Sequence, residues 1–497
     1  MSVERLRGAD AAYFYLETPS QHMHVTAAML FEPPSVRLPG GEAPDVQMIA
    51  AATAERLARR LAAEPTFRKR IVEAPLTLIH PAWVQASEFD LRDHLRLVTL
   101  PAPGSREQLM EHVGRIAGSP LARERPLWEL WALAGVEGGL VGIVLKVHHA
   151  MIDGVSGVEL LGRLFADAYL IDAPEAAADG PIEPSLLELA GAALSSALAL
   201  PLRAYRVLAR TAGAIGPVLR TAIENANVDA SPTLPFSAPR TLLNRALTSE
   251  RRVAFGSVAL GAVKEVKAAF GVTVNDVVLA ACALALGDYL RAHGETPRQA
   301  LVASVPVSEH GPGGSDSATN RVSVMFVGLP VHLTRVEDVL AFVHAQASGA
   351  KRIHGSFGAA MLAEWVDLAP PALFAAAMGL YSRWGLADRL PPPHSVVISN
   401  VPGPPFPVAA GNARLVAAFP IGPVLEGAGL NISVLSYVDA VNVGLVTCPR
   451  AISEPADLAR GFERAVAEMQ RAARRREGTT AARASRAGAR GAASPRI

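Results

Sequence analysis

Residues Val147-His148-His149-Ala150-Met151-Ile152-Asp153-Gly154 constrain this chain more than any other stretch. Leu140 to Val147 (LVGIVLKV) is a nearly unbroken apolar run rich in β-branched residues, the pattern of a strand buried on both faces. The two histidines therefore stand where a buried strand ends. Downstream, Ser156-Gly157-Val158-Glu159 has the form of a capping box, and Val158, Leu161, Leu164 and Phe165 recur at helical spacing, which predicts a helix over 157–170. Side chains alternate along a strand, so adjacent histidines point to opposite sides and only one can face a given cavity. Asp153, four residues after His149, and Gly154, which frees the turn, can hold an imidazole or a neighbouring arginine in place. A lone histidine here would read as an ordinary core or surface group; the whole His-His-x-x-x-Asp-Gly pattern between strand and helix changes that reading.

Around this centre the chain reads as alternating strands and helices. His24 to Phe31 alternates as a strand should and is stopped by Pro33-Pro34, and Val46 to Leu61 carries a helical apolar face. Ser105-Arg106-Glu107-Gln108 is a second capping box, opening a helix that ends at Gly118. A strand from Trp131 to Leu133, a Gly138-Gly139 hairpin turn and the histidine strand then form one antiparallel pair. Residues 171–239 lose periodicity at first, then give one or two helices over 186–224, where Arg203, Arg206 and Arg210 lie beside Leu202, Val207 and Leu208. That pattern suits a membrane-surface helix or a crossover helix packed on the body.

From Arg252 the α/β character returns. A strand over 253–260, a helix over 262–270 with Gly271 as its C-cap, and a long apolar helix from Thr273 to Leu290 are followed by strands at 301–307 and 322–329. Helices near 335–352 and 358–386 precede a strand over 395–398, then Ser399-Asn400-Val401-Pro402-Gly403-Pro404, further strands to Val446 and a final helix over 456–471. A chain of 497 residues exceeds one ordinary core. The predicted division is an N-terminal domain 1–172, a helical crossover 173–240, a C-terminal domain 241–470 and a disordered basic tail 471–497.

Charge and composition narrow the function classes. The tail holds eight arginines and one glutamate, so it carries +7 of a net +1 and leaves the body at −6, which argues against nucleic acid as a partner. Half the residues are hydrophobic and 19% charged, a balance suited to apolar ligands. Two cysteines are too few for a disulfide framework and point to a reducing cytoplasm. The longest helix-like apolar stretch, Leu189 to Leu202, contains Pro201 and is short for a bilayer, so any membrane contact is expected to be peripheral. The chain has neither a Gly-x-Ser-x-Gly elbow nor a phosphate loop, which disfavours an acyl-serine hydrolase and a nucleotide-driven ligase. A metal on His148, His149 and Asp153 is not expected, because adjacent strand residues diverge.

His148-His149-x-x-x-Asp153-Gly154 resembles the active-site motif of the coenzyme A-dependent acyltransferase superfamily. From about residue 7 to residue 470 the chain resembles the bacterial wax ester synthase/diacylglycerol acyltransferase family. The markers are Asp10 and Phe14, Pro126-Leu127-Trp128, the histidine motif, Asn275-Asp276, Asn320-Arg321-Val322-Ser323 and Ser399 to Pro404, with Thr319 standing where a glycine is expected.

The resemblance implies two chloramphenicol-acetyltransferase-like domains, each a mixed sheet with helices, with the active site at their interface. It implies His149 as general base, His148 and Asp153 in support, and Gly154, Pro126, Leu127 and Trp128 as structural residues. Ser399, Asn400, Asn275 and Asp276 are the candidates for oxyanion or substrate contacts; Asn275 and Asp276 read equally as helix-start residues. The implied reaction esterifies long-chain acyl groups from acyl-CoA, a co-substrate and not a cofactor, onto diacylglycerol or a fatty alcohol. The alternatives are a condensation-type acyltransferase on a polar acceptor and a non-catalytic lipid-droplet or carrier protein. The expected setting is cytoplasmic, at the inner face of the membrane or on lipid inclusions, as monomer or homodimer.

Overall fold

The computed structural model describes residues 4–6, 9–34, 45–73, 80–86, 88–151, 233–308, 322–357 and 371–491, with single positions between 162 and 209. In chain order it contains β1 (Glu4–Arg5), α1 (Ala9–Leu16), β2 (His24–Glu32), α2 (Val46–Ala63), β3 (Lys69–Val72), β4 (Ala82–Gln85), β5 (Leu95–Thr99), α3 (Arg106–Gly118), β6 (Trp128–Val136) and β7 (Leu140–His148). The second half contains β8 (Arg252–Ala259), α4 (Leu260–Phe270), α5 (Val274–Ala292), β9 (Leu301–Ser308), β10 (Val322–Leu329), α6 (Val336–Phe357), α7 (Pro371–Arg383), β11 (Val396–Pro402), β12 (Ala409–Ala410), β13 (Ala413–Ile421), β14 (Leu430–Tyr437), β15 (Ala440–Thr447) and α8 (Pro455–Gly491).

Two six-stranded mixed sheets with helices carry the fold, as expected. One has the order β12-β13-β2-β7-β6-β5 and the other β10-β9-β11-β14-β15-β8. A small sheet, β1-β4-β3, flanks the first. In the first sheet, β7 pairs antiparallel with both β2 and β6, so the histidine strand is central and its apolar run is buried on both faces. The turn joining β6 to β7 places Gly138 and Gly139 at φ 76° and 72°, a conformation glycine adopts without a Cβ clash. In the second half, α5 is buried almost throughout, because its apolar residues run round the whole helix; it lies in a core with Leu301, Val339 and Met469. Its N-terminus is a complete capping box between Thr273 and Asp276, and Gly271 in the left-handed region closes α4 before it.

Three expectations are corrected. Residues 409–421 do not stay with the C-terminal domain: β12 and β13 join the first sheet, with β13 paired antiparallel to β2, so the boundary at 241 does not separate the sheets. The strand predicted over 395–398 continues to Pro402, because Ser399 to Val401 are held in parallel pairing with Ser433 to Leu435 of β14. The segment from 471 is helical to Gly491 where disorder was expected; alanine and arginine favour helix, Arg474 reaches Glu265, and the Arg476 guanidinium stands 5.0 Å from the Phe270 ring centroid. The helix expected over 157–170 and most of the 173–240 crossover lie outside the described residues, as do Asp153, Gly154 and Asn320-Arg321.

Candidate active site

The two histidines part as the alternation of a strand requires. His148 is the last residue of β7, pairs across to His24 of β2 and is buried. Its backbone N–H donates to the Leu127 carbonyl at 2.9 Å, so the Pro126-Leu127-Trp128 segment anchors the strand end. Trp128 is itself packing: its indole N–H donates to the Phe67 carbonyl at 2.9 Å and its ring stacks on His94 at 4.3 Å. His149 opens the 3-10 turn His149–Met151, its N–H held by the Met23 carbonyl at 2.8 Å. The Tyr13 ring of α1 stacks on it with centroids 4.1 Å apart, while the neighbouring Phe14 stacks on His148 at 4.2 Å.

His149 lines a cavity of about 310 Å³ between the two sheets; His148 does not. One wall is Val25, Ala27 and Met29 of β2 with Leu145 and Val147 of β7, and β13 adds Leu415 and Ala418. The opposite wall comes from β9, β11 and β14. The surface is overwhelmingly apolar, with Ser304, Ser399, Asn431 and Ser433 as polar points on the second wall.

The four expected oxyanion or substrate residues separate on the same principle. Ser399 and Asn400 are consecutive in β11 and therefore face opposite ways: Ser399 lines the cavity, and Asn400 turns to Asn275, its amide donating at 3.4 Å. Asp276 is buried and committed elsewhere. Its carboxylate accepts from the Thr273 N–H at 2.9 Å and stands 2.8 Å from Nδ1 of His344. Of the four, Ser399 lines the cavity with His149, and Asn400, Asn275 and Asp276 are not among its lining residues.

Glu17, just past α1, is the residue that sequence reading missed. Its Oε1 lies 3.5 Å from Nε2 of both His148 and His24 and accepts from the Met23 N–H at 3.0 Å; its Oε2 is 2.8 Å from Arg123, which also reaches Glu73 at 2.6 Å. Burial by itself would raise the Glu17 pKa, but His148, His24 and the Met23 N–H outweigh it and hold the carboxyl well below the usual carboxylate range. Burial keeps His24 neutral, its pKa far below that of a free histidine despite Glu17. A single glutamate after a short helix belongs to no motif, and only the register of β2 against β7 brings it to His148. Among the described residues, no group of three or more His, Cys, Asp or Glu is arranged to hold a metal ion.

A family model described as the wax ester synthase/diacylglycerol acyltransferase catalytic domain matches residues 6–278, and one described as the WS/DGAT C-terminal domain matches residues 318–470. The chain belongs to this family. A Mycobacterium tuberculosis protein named as a diacylglycerol O-acyltransferase is 36% identical over 473 residues, covering 94% of this chain and 90% of that protein. A second so named from the same species is 35% identical over 469 residues, with 93% of this chain and 98% of the other covered. Among solved structures, the wax ester synthase/diacylglycerol acyltransferase of Marinobacter aquaeolei VT8 is similar at a TM-score of 0.64 and 28% identity, covering 94% of this chain and 99% of that one. The first condensation domain of the CDA synthetase, at 18% identity and a TM-score of 0.52 over 95% of this chain and 96% of that chain, shares the fold. This WS/DGAT family member is thus an acyltransferase built from two condensation-like α/β halves.

Proposed function

We propose that this acyltransferase moves a long-chain acyl group from acyl-CoA to the hydroxyl of diacylglycerol or a long-chain alcohol, with His149 as general base and no further cofactor. The carrying observation is that His149 stands on the wall of an apolar cavity between the sheets, with the Ser399 side chain on the same cavity. In this reading the His149 imidazole takes the acceptor's O–H proton as the oxygen attacks the thioester carbonyl. The tetrahedral oxyanion collapses by breaking the C–S bond, and the imidazolium returns the proton to the leaving thiolate. Ser399 donates its hydroxyl to the developing oxyanion. Asp153 is assigned a supporting role in the motif, not a proton relay, on the family resemblance alone. The apolar lining favours a greasy acceptor over the polar acceptor of a condensation-type reaction, because a polar group buried there would find few partners.

The acceptor lives in lipid, and among the described residues no single helix is long and apolar enough to cross a membrane. The bent pair α4–α5 passes that test in composition, but α5 is a buried core helix. Peripheral contact with a membrane or lipid inclusion on the cytoplasmic side is therefore part of the proposal. One supporting surface is the outer face of α7, where Leu373, Leu380 and the following Trp384 are 67%, 42% and 58% exposed beside the exposed Arg383. The inner side of α7 packs on α1, through Phe374 against Tyr15, and α1 carries Tyr13 over His149. A second is the stretch with exposed Leu198, Leu202, Tyr205 and Arg206. Assays of purified protein with palmitoyl-CoA and either diolein or hexadecanol, following ester and free thiol, test the reaction; ester from neither acceptor would refute it.

A further inference from the structure

We infer that Glu17 is a positioning residue for the catalytic turn, one carboxylate that fixes the peptide N–H groups of both His149 and Ala150 through two separate chains of contacts. The inference rests on His149 being the general base. In the first chain, Glu17 Oε1 accepts from the Met23 N–H at 3.0 Å, and the Met23 carbonyl accepts from the His149 N–H at 2.8 Å. In the second, the same oxygen lies 3.5 Å from Nε2 of His148, and Nδ1 of His148 accepts from the Ala150 N–H at 3.1 Å. An Nδ1 that accepts leaves the proton of a neutral imidazole on Nε2, the nitrogen that faces Glu17. At 3.5 Å this link is a charge contact and not a hydrogen bond, so it acts electrostatically and without strong directionality. The two peptide groups that flank His149 are therefore each held by a chain of contacts that ends on a single buried anion.

The rest of the surroundings hold that anion in place. Arg123 takes Oε2 at 2.8 Å and spans to Glu73, while its guanidinium lies 5.7 Å from the Phe14 ring centroid. Phe14 in turn covers the His148 ring, and the next ring along α1, Tyr13, covers His149. The other charged or titratable groups acting on this cluster are His22, whose ring stacks on His24, and the cations Lys146 and Arg251. His22 and His24 are held toward the neutral form by burial, which leaves Glu17, paired with Arg123, as the charged group in contact with His148 among the described residues.

Two charge-removing substitutions test the assignment. Glu17→Gln keeps the shape but deletes the anion; kcat should fall about 10- to 100-fold through misplacement of the base, with KM for acyl-CoA changed less than about twofold. Deleting a nearby anion also makes the His149 imidazolium less favourable, so the acid limb of the pH–rate profile should move to lower pH. Arg123→Gln deletes the partner cation from a side chain that is partly at the surface, and should move the same limb to higher pH. Circular dichroism and thermal melts establish that each variant is folded; if Glu17→Gln does not fold, the direction of the Arg123→Gln displacement decides. Normal kcat in both folded variants, or lost activity with an unmoved acid limb, would overturn the inference. The underlying reading fails separately, by the survival of activity in His149→Ala.

Discussion

At the scale of single residues, alternation along a strand decides which side chains reach the cavity. Two pairs of neighbours, His148-His149 and Ser399-Asn400, each send one side chain to the cavity and one away from it. Ser399→Ala should lower kcat by about 10- to 1000-fold, the range for loss of one oxyanion donor, with little change in KM, whereas Asn400→Ala should leave turnover near normal; steady-state kinetics on both distinguishes them. His394 provides a pH prediction. Burial pushes its pKa down to about 4 from the ordinary histidine value, so the unfolded chain binds a proton that the folded one refuses between about pH 6.5 and 4. Its contribution to stability is complete above that window and falls as the pH drops through it, by roughly 3 kcal/mol at full extent. Melting curves should show a shallower acid loss for His394→Phe than for the parent, and equal slopes would remove His394 from the explanation. The histidine pair was legible in the sequence because strand, pair and following carboxylate are contiguous. Glu17 was not: Met23 and His24 lie near it in the chain, but its contact with His148 comes from the β2–β7 register.

At the scale of elements, local signals were read well where local physics decides. The Ser105 capping box and the Gly271 C-cap are both present, because each is settled by hydrogen bonds within a few residues. What escaped was long-range pairing. The extension of β11 through Pro402 depends on β14, some thirty residues on, and the assignment of 409–421 to the first sheet depends on β2, nearly four hundred residues away. Neither partner leaves a mark in the strand's own sequence. That exchanged segment joins the halves at a tight crossing: a Cβ on Gly444 of β15 would stand 1.9 Å from the Pro420 carbonyl oxygen of β13. Gly444→Ala should therefore cost at least about 2 kcal/mol by forcing the sheets apart, and should disturb the cavity that Pro420 also lines; denaturant unfolding would measure it, and an unchanged midpoint would contradict this packing.

At the scale of the whole molecule, two mixed sheets meet to enclose an apolar chamber, and a helix with an exposed apolar face packs on the helix beside the chamber's histidine. α7 exposes Leu373 and Leu380 with Trp384 at its end, while its other side rests on the helix that covers both histidines. Binding to anionic vesicles is expected to weaken with salt and to drop several-fold in a Leu380→Asp, Trp384→Asp double variant, with turnover on detergent-dispersed acceptor preserved. Removal of residues 478–497, which takes away four arginines and leaves Arg474 and Arg476 engaged with α4, should weaken the salt-dependent part of the binding. Co-sedimentation unaffected by the double variant would move the lipid contact away from α7. Catalysis by His149 is tested by comparing the parent with His149→Ala on palmitoyl-CoA and diolein or hexadecanol. The parent should release thiol and form ester in equal amounts, only when acceptor is present, and the folded variant should be slower by at least about 100-fold. Parental rates from His149→Ala, or thiol release without ester, would contradict the account.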